Sequence, residues 1–377
     1  MKIAIEAQRL FRPQKHGMDV VAYELLRRLP LQKDEHEYHV LVKDGKDKCI
    51  GPIGSRTIHA IQHAPYAVWE QALLPNYCDM IKADVLHCTA STAPLKVKQP
   101  LILTLHDVIF LEQSYVKASW YQRLGNTYRS TIIPAIAKKA EHIITVSEYQ
   151  KNAISERLSI PKEKMSVIYN GVDDRFFTLY NETQITATLE KYGIEPGYIF
   201  FMANSDPRKN TIGVLNAYAM LVSRYPASPR LVIKGLRKEQ LQHLLQRAGL
   251  LSLQSHIDLV GYVEHEDLPS LYQGSSMLWF PSFKEGFGLP IIEAMACGVP
   301  VITSHTSCMP EIGGDAVLYI NPNYPQTITH ATTQILEDTA IARQLSQRGR
   351  ERARLFTWDN AAKKLVQIYN KAERMIS

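Results

Sequence analysis

Short apolar runs and amphipathic stretches alternate along this chain, a pattern that predicts repeated strand and helix pairs. In the first half MKIAI, EYHVLV, ADVLHC, PLILTLHDVIF and HIITVS are strand-like, and an amphipathic segment runs from Val20 to Leu29. Apolar strands separated by helical patterns mark a mainly parallel sheet covered on both faces. KMSVIYNGVDDRFF then carries a strand into an Asn-Gly turn and is expected to close a first domain. After a polar interval from Asn181 to Gly197 the rhythm resumes at YIFFMANSDPRKN. It continues through PRLVIKG, HIDLVGYV, SMLWFPSF and PVITS, with RKEQLQHLLQRAGL as one intervening helix. The expected organisation is two similar α/β domains facing each other across a cleft, residues 1–180 and 181–355, with a hinge within 175–195. Residues 356–377 read as a terminal helix with an apolar stripe through Leu365, Ile368 and Tyr369. Packing of that helix back onto the first domain is one of its expected placements.

Composition narrows the class. With 377 residues and 45% hydrophobic content the chain supports two well-developed cores. No apolar run approaches the roughly 18 residues of a membrane span, and the opening MKIAIEAQRLF enters a strand pattern directly, so a cytoplasmic location is expected. Cys49, Cys78, Cys88, Cys297 and Cys308 form no CxxC pair, which argues against a disulfide framework and a structural zinc site; no metal site is expected. A formal charge of +6 favours anionic partners, either nucleotide diphosphates or an acidic membrane surface, without choosing between them. No dense basic run points to nucleic acid. The KHG and Lys43 to Lys48 charges read as solvated loops, with peripheral contact at the inner face of the cell membrane as the alternative.

The chemistry concentrates in PSFKEGFGLPIIEAMACGVP, residues 281 to 300. A buried strand there opens into a glycine-containing turn and then a helix. Glu285 stands before the helix and Glu293 inside it, while the backbone N–H groups of Gly286, Phe287, Gly288 and Leu289 point toward a polar anionic ligand. Carboxylates do not attract phosphate, so the expected ligand combines a diphosphate for the backbone donors with hydroxyls for the glutamates. A sugar nucleotide has that chemistry. The competing reading is an ordinary strand, turn and helix carrying a solvated glutamate. SDPRKN supplies Lys209 as the expected phosphate contact and Arg208 as its partner, at what is otherwise an exposed basic helix start. Lys234 and the Gly261 to Val263 segment are weaker candidates for the nucleotide wall. His106 follows LILTL at the carboxyl end of a strand, where open α/β sheets bind ligands. His16, Gly17 and Asp19 lie at the first strand-to-helix connection.

These motifs together resemble the retaining glycosyltransferases of family GT4, which adopt the GT-B architecture of two Rossmann-like domains across a deep cleft. The resemblance runs through LTLHDVIF, ITVSEYQ, VIYNGVD, SDPRKN, VGYVEHEDLPSLY and PSFKEGFGLPIIEAMACGVPVITS. It implies that Glu285 binds the donor sugar, Glu293 the ribose, Lys209 the diphosphate, and that His106 has a catalytic-cleft role. It also implies retention of anomeric configuration by front-face displacement, without a tightly bound cofactor. Two departures stand out: HGMD replaces a glycine-rich first loop, keeping only Gly17, and Ala203 stands where many relatives carry a phosphate-binding arginine. Arg208 is the candidate to compensate.

HDV, PRKN and EGFGLP are especially similar to bacterial mannosyltransferases of surface-polysaccharide synthesis, so GDP-mannose is the first expectation for the donor. A UDP-sugar donor, a related epimerase or hydrolase, and a nucleotide-sugar-binding protein without transfer activity are the alternatives. The acceptor is expected to be a saccharide or a lipid-linked glycan. Linkage and oligomeric state have no signature here.

Overall fold

The computed structural model describes residues 1–32, 34–62, 64–111 and 120–376. Contacts divide the chain into two units: Met1–Gly171 together with Trp358–Ser377, and Val172–Thr357.

The first unit holds strands β1 (Lys2–Glu6), β2 (Glu37–Lys43), β3 (Arg56–Ile61), β4 (Val85–Cys88), β5 (Leu101–Thr104), β6 (His142–Thr145) and β7 (Met165–Val167). They pair in the order β3-β2-β1-β4-β5-β6-β7, every pair parallel. Every side chain of β4 and β5 is buried, which is why these strands read as unbroken apolar runs. From β1 the chain builds outward to β3 and then returns to the other side of β1 at β4. That reversal is a topological switch point, where a crevice opens beyond the carboxyl ends of the strands.

The second unit repeats the plan with β8 (Tyr198–Met202), β9 (Leu231–Lys234), β10 (Ile257–Val260), β11 (Ser275–Phe280), β12 (Val301–Ser304) and β13 (Leu318–Ile320). Their order is β10-β9-β8-β11-β12-β13, again parallel throughout. The switch point falls between β8 and β11. On one face of this sheet Phe201, Ile233, Trp279 and Ile302 form a core with Val214, Tyr218 and Leu221 of the Thr211–Arg224 helix. Those helical positions, four and three apart, place one apolar stripe against the strands.

The Trp358–Ile376 helix belongs to the first unit. Ala362, Leu365 and Tyr369 are buried along one face. Polar contacts hold its length: Arg28 Nε donates to Asp359 at 2.9 Å, His36 Nε2 meets the Asn370 side-chain oxygen at 2.7 Å, and the Tyr369 hydroxyl meets His87 Nδ1 at 2.6 Å.

The structure departs from the sequence expectations in two places, the division between units and the edge strands. The division between units falls at Gly171/Val172, before the expected 175–195 hinge, because the Val172 N–H donates to the Phe356 carbonyl at 3.0 Å within the second unit. β5 ends at Thr104, and His106 lies just beyond its carboxyl end. The Asp107 carboxylate accepts from the Ile109 N–H at 3.0 Å and turns the chain into the Ile109–Leu111 3-10 turn. β3 and β13 are additional edge strands. RTIHAI of β3 mixes polar and apolar positions because only its ends are buried, so it lacks the signal of the central strands.

Candidate active site

In the second unit the loops leaving the two central strands meet at the switch point. After β8 the chain runs through Ala203 to the Pro207–Lys209 3-10 turn, where the Asp206 carboxylate accepts from the Arg208 N–H at 3.0 Å. Asn210 follows in a left-handed conformation (φ 59°), and its side-chain amide donates to the carbonyls of Pro281 (3.2 Å) and Pro322 (2.8 Å). This amide binds the loop after β8 to the loop after β11. The Phe283 N–H donates to the Arg208 carbonyl at 2.8 Å and adds a second tie.

Glu285 occupies the centre. Arg208 Nη1 lies 2.6 Å from its Oε2 and Lys209 Nζ 2.7 Å from its Oε1. Arg208 also donates to the Lys284 carbonyl and pairs with Asp206 at 3.1 Å. Lys209 Nζ stands 4.7 Å from the centroid of the Phe280 ring, a cation–π contact that fixes its direction. Burial pushes the Glu285 carboxyl up, and the charges of Lys209 and Arg208 more than reverse that, holding it below the usual range. Thus the two cations expected at a diphosphate meet Glu285 in this structure, giving two cations and two carboxylates, those of Asp206 and Glu285. Ser307, with φ 59°, brackets Glu285 from behind: its hydroxyl donates to the Glu285 carbonyl at 2.9 Å and lies 3.2 Å from the Glu285 N–H.

Gly288 caps the Leu289–Ala296 helix with φ +96°, a conformation that favours glycine. Leu289 opens the helix, Gly286 is partly exposed, and the Phe287 ring is buried edge-on against Phe356 at 5.8 Å. Phe287 therefore anchors the turn through its side chain. On the second helical turn Glu293 accepts from the Tyr272 hydroxyl at 2.7 Å. Burial raises the Glu293 carboxyl, with the Tyr272 hydrogen bond and the Lys234 charge pulling it back. Lys234, at the end of β9, is lowered by burial and raised by Glu293 in turn. Of the Gly261 to Val263 segment, Val263 is buried and Tyr262 exposed.

In the first unit His106 is buried just beyond β5. Its Nε2 lies 3.0 Å from the Thr89 carbonyl, which only accepts, so Nε2 carries the proton in the neutral ring. Burial lowers its pKa, while the Thr89 contact and the carboxylates of Asp107 and Asp19 act the other way. Asp19 lies in the first turn of the Gly17–Arg28 helix and accepts from the His16 N–H at 3.0 Å. Gly17 begins that helix, and a Cβ on it would meet open space.

Several polar residues at this unit's switch point escaped the sequence reading. Glu6 ends β1, accepting from the N–H groups of Gln8 (2.8 Å) and Thr89 (3.3 Å). Nearby, the Glu70 carboxylate gathers the Tyr66, Thr92 and Tyr128 hydroxyls and the Gln71 amide. A charged residue at the end of the first strand was the available signal for Glu6; nothing periodic marks Glu70. The KDGKDK charges pair locally, Lys48 with Asp44 and Asp47 with Lys15. Among the described residues no group of three His, Cys, Asp or Glu side chains is placed to hold a metal ion, and no helix is long and apolar enough to cross a membrane.

Residues 16–176 match Glycosyltransferase Family 4, and residues 185–352 match Glycosyl transferases group 1. O-antigen chain mannosyltransferase B of Escherichia coli is 33% identical over 274 residues, covering 71% of this chain and 69% of that protein. The serotype-specific mannosyltransferase WbdA of Escherichia coli is 27% identical over 237 residues, 62% of this chain but 29% of that longer protein. In three dimensions the chain resembles Anabaena HepE, solved in complex with UDP and glucose, with a TM-score of 0.76 at 19% identity over 98% of this chain and 100% of that one. The family matches cover both halves of the chain, and the two parallel sheets each reverse beside their first strand: the protein belongs to the family 4 glycosyltransferases and has the GT-B fold.

Proposed function

We propose that this glycosyltransferase moves a hexose, mannose from GDP-mannose, to a saccharide or lipid-linked glycan acceptor with retention of configuration. The observation that carries the reading is the Arg208, Lys209 and Glu285 constellation at the switch point between β8 and β11. Its spacing suits a sugar nucleotide, and the mannose assignment rests on the mannosyltransferases among the relatives. A carboxylate offers about four acceptor positions, so contact with two cations is compatible with accepting sugar hydroxyls as well. Lys209, with Arg208, faces the diphosphate; Glu293, beside Lys234, takes the ribose hydroxyls; the Gly286 to Leu289 backbone receives the distal phosphate. Within the first unit, His106 just beyond β5 and Gly17 at the first helix start are the candidate ligand-handling positions.

In the reaction the bond from the anomeric carbon to the diphosphate oxygen breaks, and its electron pair leaves with the nucleoside diphosphate. The acceptor oxygen bonds to the same carbon on the same face, its proton passing to the departing phosphate oxygen. Charge grows on that phosphate as the bond breaks, so cations already in place stabilise the transition state more than the bound donor. A cytoplasmic location, with peripheral contact at the inner membrane face when the acceptor is lipid-linked, belongs to the same reading; the +6 charge favours anionic partners without choosing a membrane among them.

Mass-resolved turnover of GDP- and UDP-sugars against free and lipid-linked glycans tests it. The expected result is a glycan gaining a hexose from GDP-mannose, with α linkage retained, and a fall of roughly 100- to 1,000-fold in kcat for Lys209→Ala. Transfer from a UDP-sugar instead would replace the donor assignment. Donor hydrolysis without a glycan product, or binding without donor consumption, would overturn transfer from these donors.

A further inference from the structure

The contact beneath Glu293 extends the site to the tyrosine that closes the VGYVEHEDLPSLY stretch. Tyr272 lies at the end of the Leu268–Gln273 helix and is fully buried, its hydroxyl 2.7 Å from Glu293 Oε2. The ring is caged: Phe200 of β8 meets it edge-on at 5.4 Å between centroids, and Phe176 approaches at 6.0 Å. The hydroxyl also lies 3.6 Å from the Met202 sulfur. Aromatic packing thus fixes the hydroxyl from two sides, and a fixed hydroxyl fixes the carboxylate that accepts from it.

We infer that Tyr272 is a positioning residue for nucleotide recognition, binding Oε2 of Glu293 so that its other carboxylate oxygen is directed at the ribose diol of a nucleoside diphosphate. The inference rests on the reading of Glu293 as the ribose contact. Two features favour positioning over plain packing. Glu293 is one of the few acceptors within reach of a hydroxyl that burial has removed from water, and the bond requires a carboxylate oxygen that is accepting. Recognition of a diol requires the same state, because a protonated carboxyl loses acceptor capacity. The groups bearing on Glu293 are Tyr272 from its helix, Lys234 from β9 and Cys297 one turn along its own helix. Of these, Tyr272 and Lys234 favour the ionised form against burial.

Tyr272→Phe keeps the caged ring and deletes the hydroxyl. Calorimetric titration of the full chain with GDP and UDP, and with their 2′,3′-dideoxy forms, measures preference for the ribose diol directly. The parent protein is expected to prefer the ribo form by about tenfold or more, as for a hydrogen bond to a charged group. Glu293→Ala should abolish that preference. Tyr272→Phe should reduce it severalfold, recover part of it as pH is raised and Glu293 ionises, and leave dideoxy binding at the parent level. If Tyr272→Phe weakens the ribo and dideoxy forms equally, or keeps the full preference at every pH, the positioning role is wrong although the Glu293 reading stands. If Glu293→Ala keeps the preference, the ribose reading falls, and this inference with it.

Discussion

Glu6 ends a central strand with 3% of its surface exposed, and burial lifts its carboxyl from 4.5 to about 7, with Glu70 adding to the rise and the Gln8 N–H opposing it. An unfolded chain gives up this proton near 4.5 and the folded chain holds it to about 7. Between those values the folded state binds more protons, so this group's contribution to stability is present at low pH and is lost as pH rises. The loss is on the order of 3 kcal/mol once pH exceeds about 7. Urea unfolding of the first unit should therefore show a falling stability from about pH 5 to 7 that Glu6→Gln flattens; an equally steep variant would remove Glu6 as the cause. Individual residues were unevenly legible in the sequence. Glu285 and Lys209 stand in recognisable spacings, but their direct pairing joins positions 76 apart and depends on which strands are neighbours. Tyr272 closes the VGYVEHEDLPSLY stretch, yet its partner, like those of Glu70, had no signature, since a buried hydroxyl or carboxylate is defined by what surrounds it.

At the scale of elements, two glycines with similar backbone angles separate local from tertiary constraint. Gly249 (φ +69°) ends the Lys238–Ala248 helix, and a Cβ on it would meet nothing. Gly235 (φ +97°) follows β9, where a Cβ would press into the Ala203 carbonyl of the chain leaving the neighbouring strand. Gly249→Ala should cost about 1 kcal/mol, the backbone preference alone. Gly235→Ala should cost clearly more, about 2 kcal/mol or above, because a backbone oxygen at a strand end has nowhere to move. Urea midpoints of the second unit measure both, and equal shifts would show that the carbonyl yields. The sequence carried the helix through RAGL to Leu250, past its stop at Gly249, and the close approach at Gly235 had no signature. The central strands were readable from their apolar runs. The edge strands β3 and β13 were not, because partial exposure dilutes the apolar signal there.

For the whole molecule, the Trp358–Ile376 helix returns to the first unit after 186 intervening residues, Val172–Thr357, have folded into the second. Leu365, 1% exposed on its apolar face, is the natural probe. Leu365→Ala should destabilise the first unit by about 2–5 kcal/mol. Amide hydrogen exchange should show lost protection within residues 1–171 and little change within 172–357; loss spread equally over both would contradict the division. What the sequence determined by itself was local in origin: strand and helix periods, turn residues, charge types, and with them the α/β class and the family motifs. Each follows from interactions within a few positions along the chain. The tertiary structure alone decided which strands became neighbours, and so which loops met at each switch point. It brought Arg208 and Lys209 onto Glu285, Tyr272 under Glu293, and Glu6 beside Thr89. The physical reason is that period and propensity specify which face of an element is buried, while strand order and packing choose the partner that buries it.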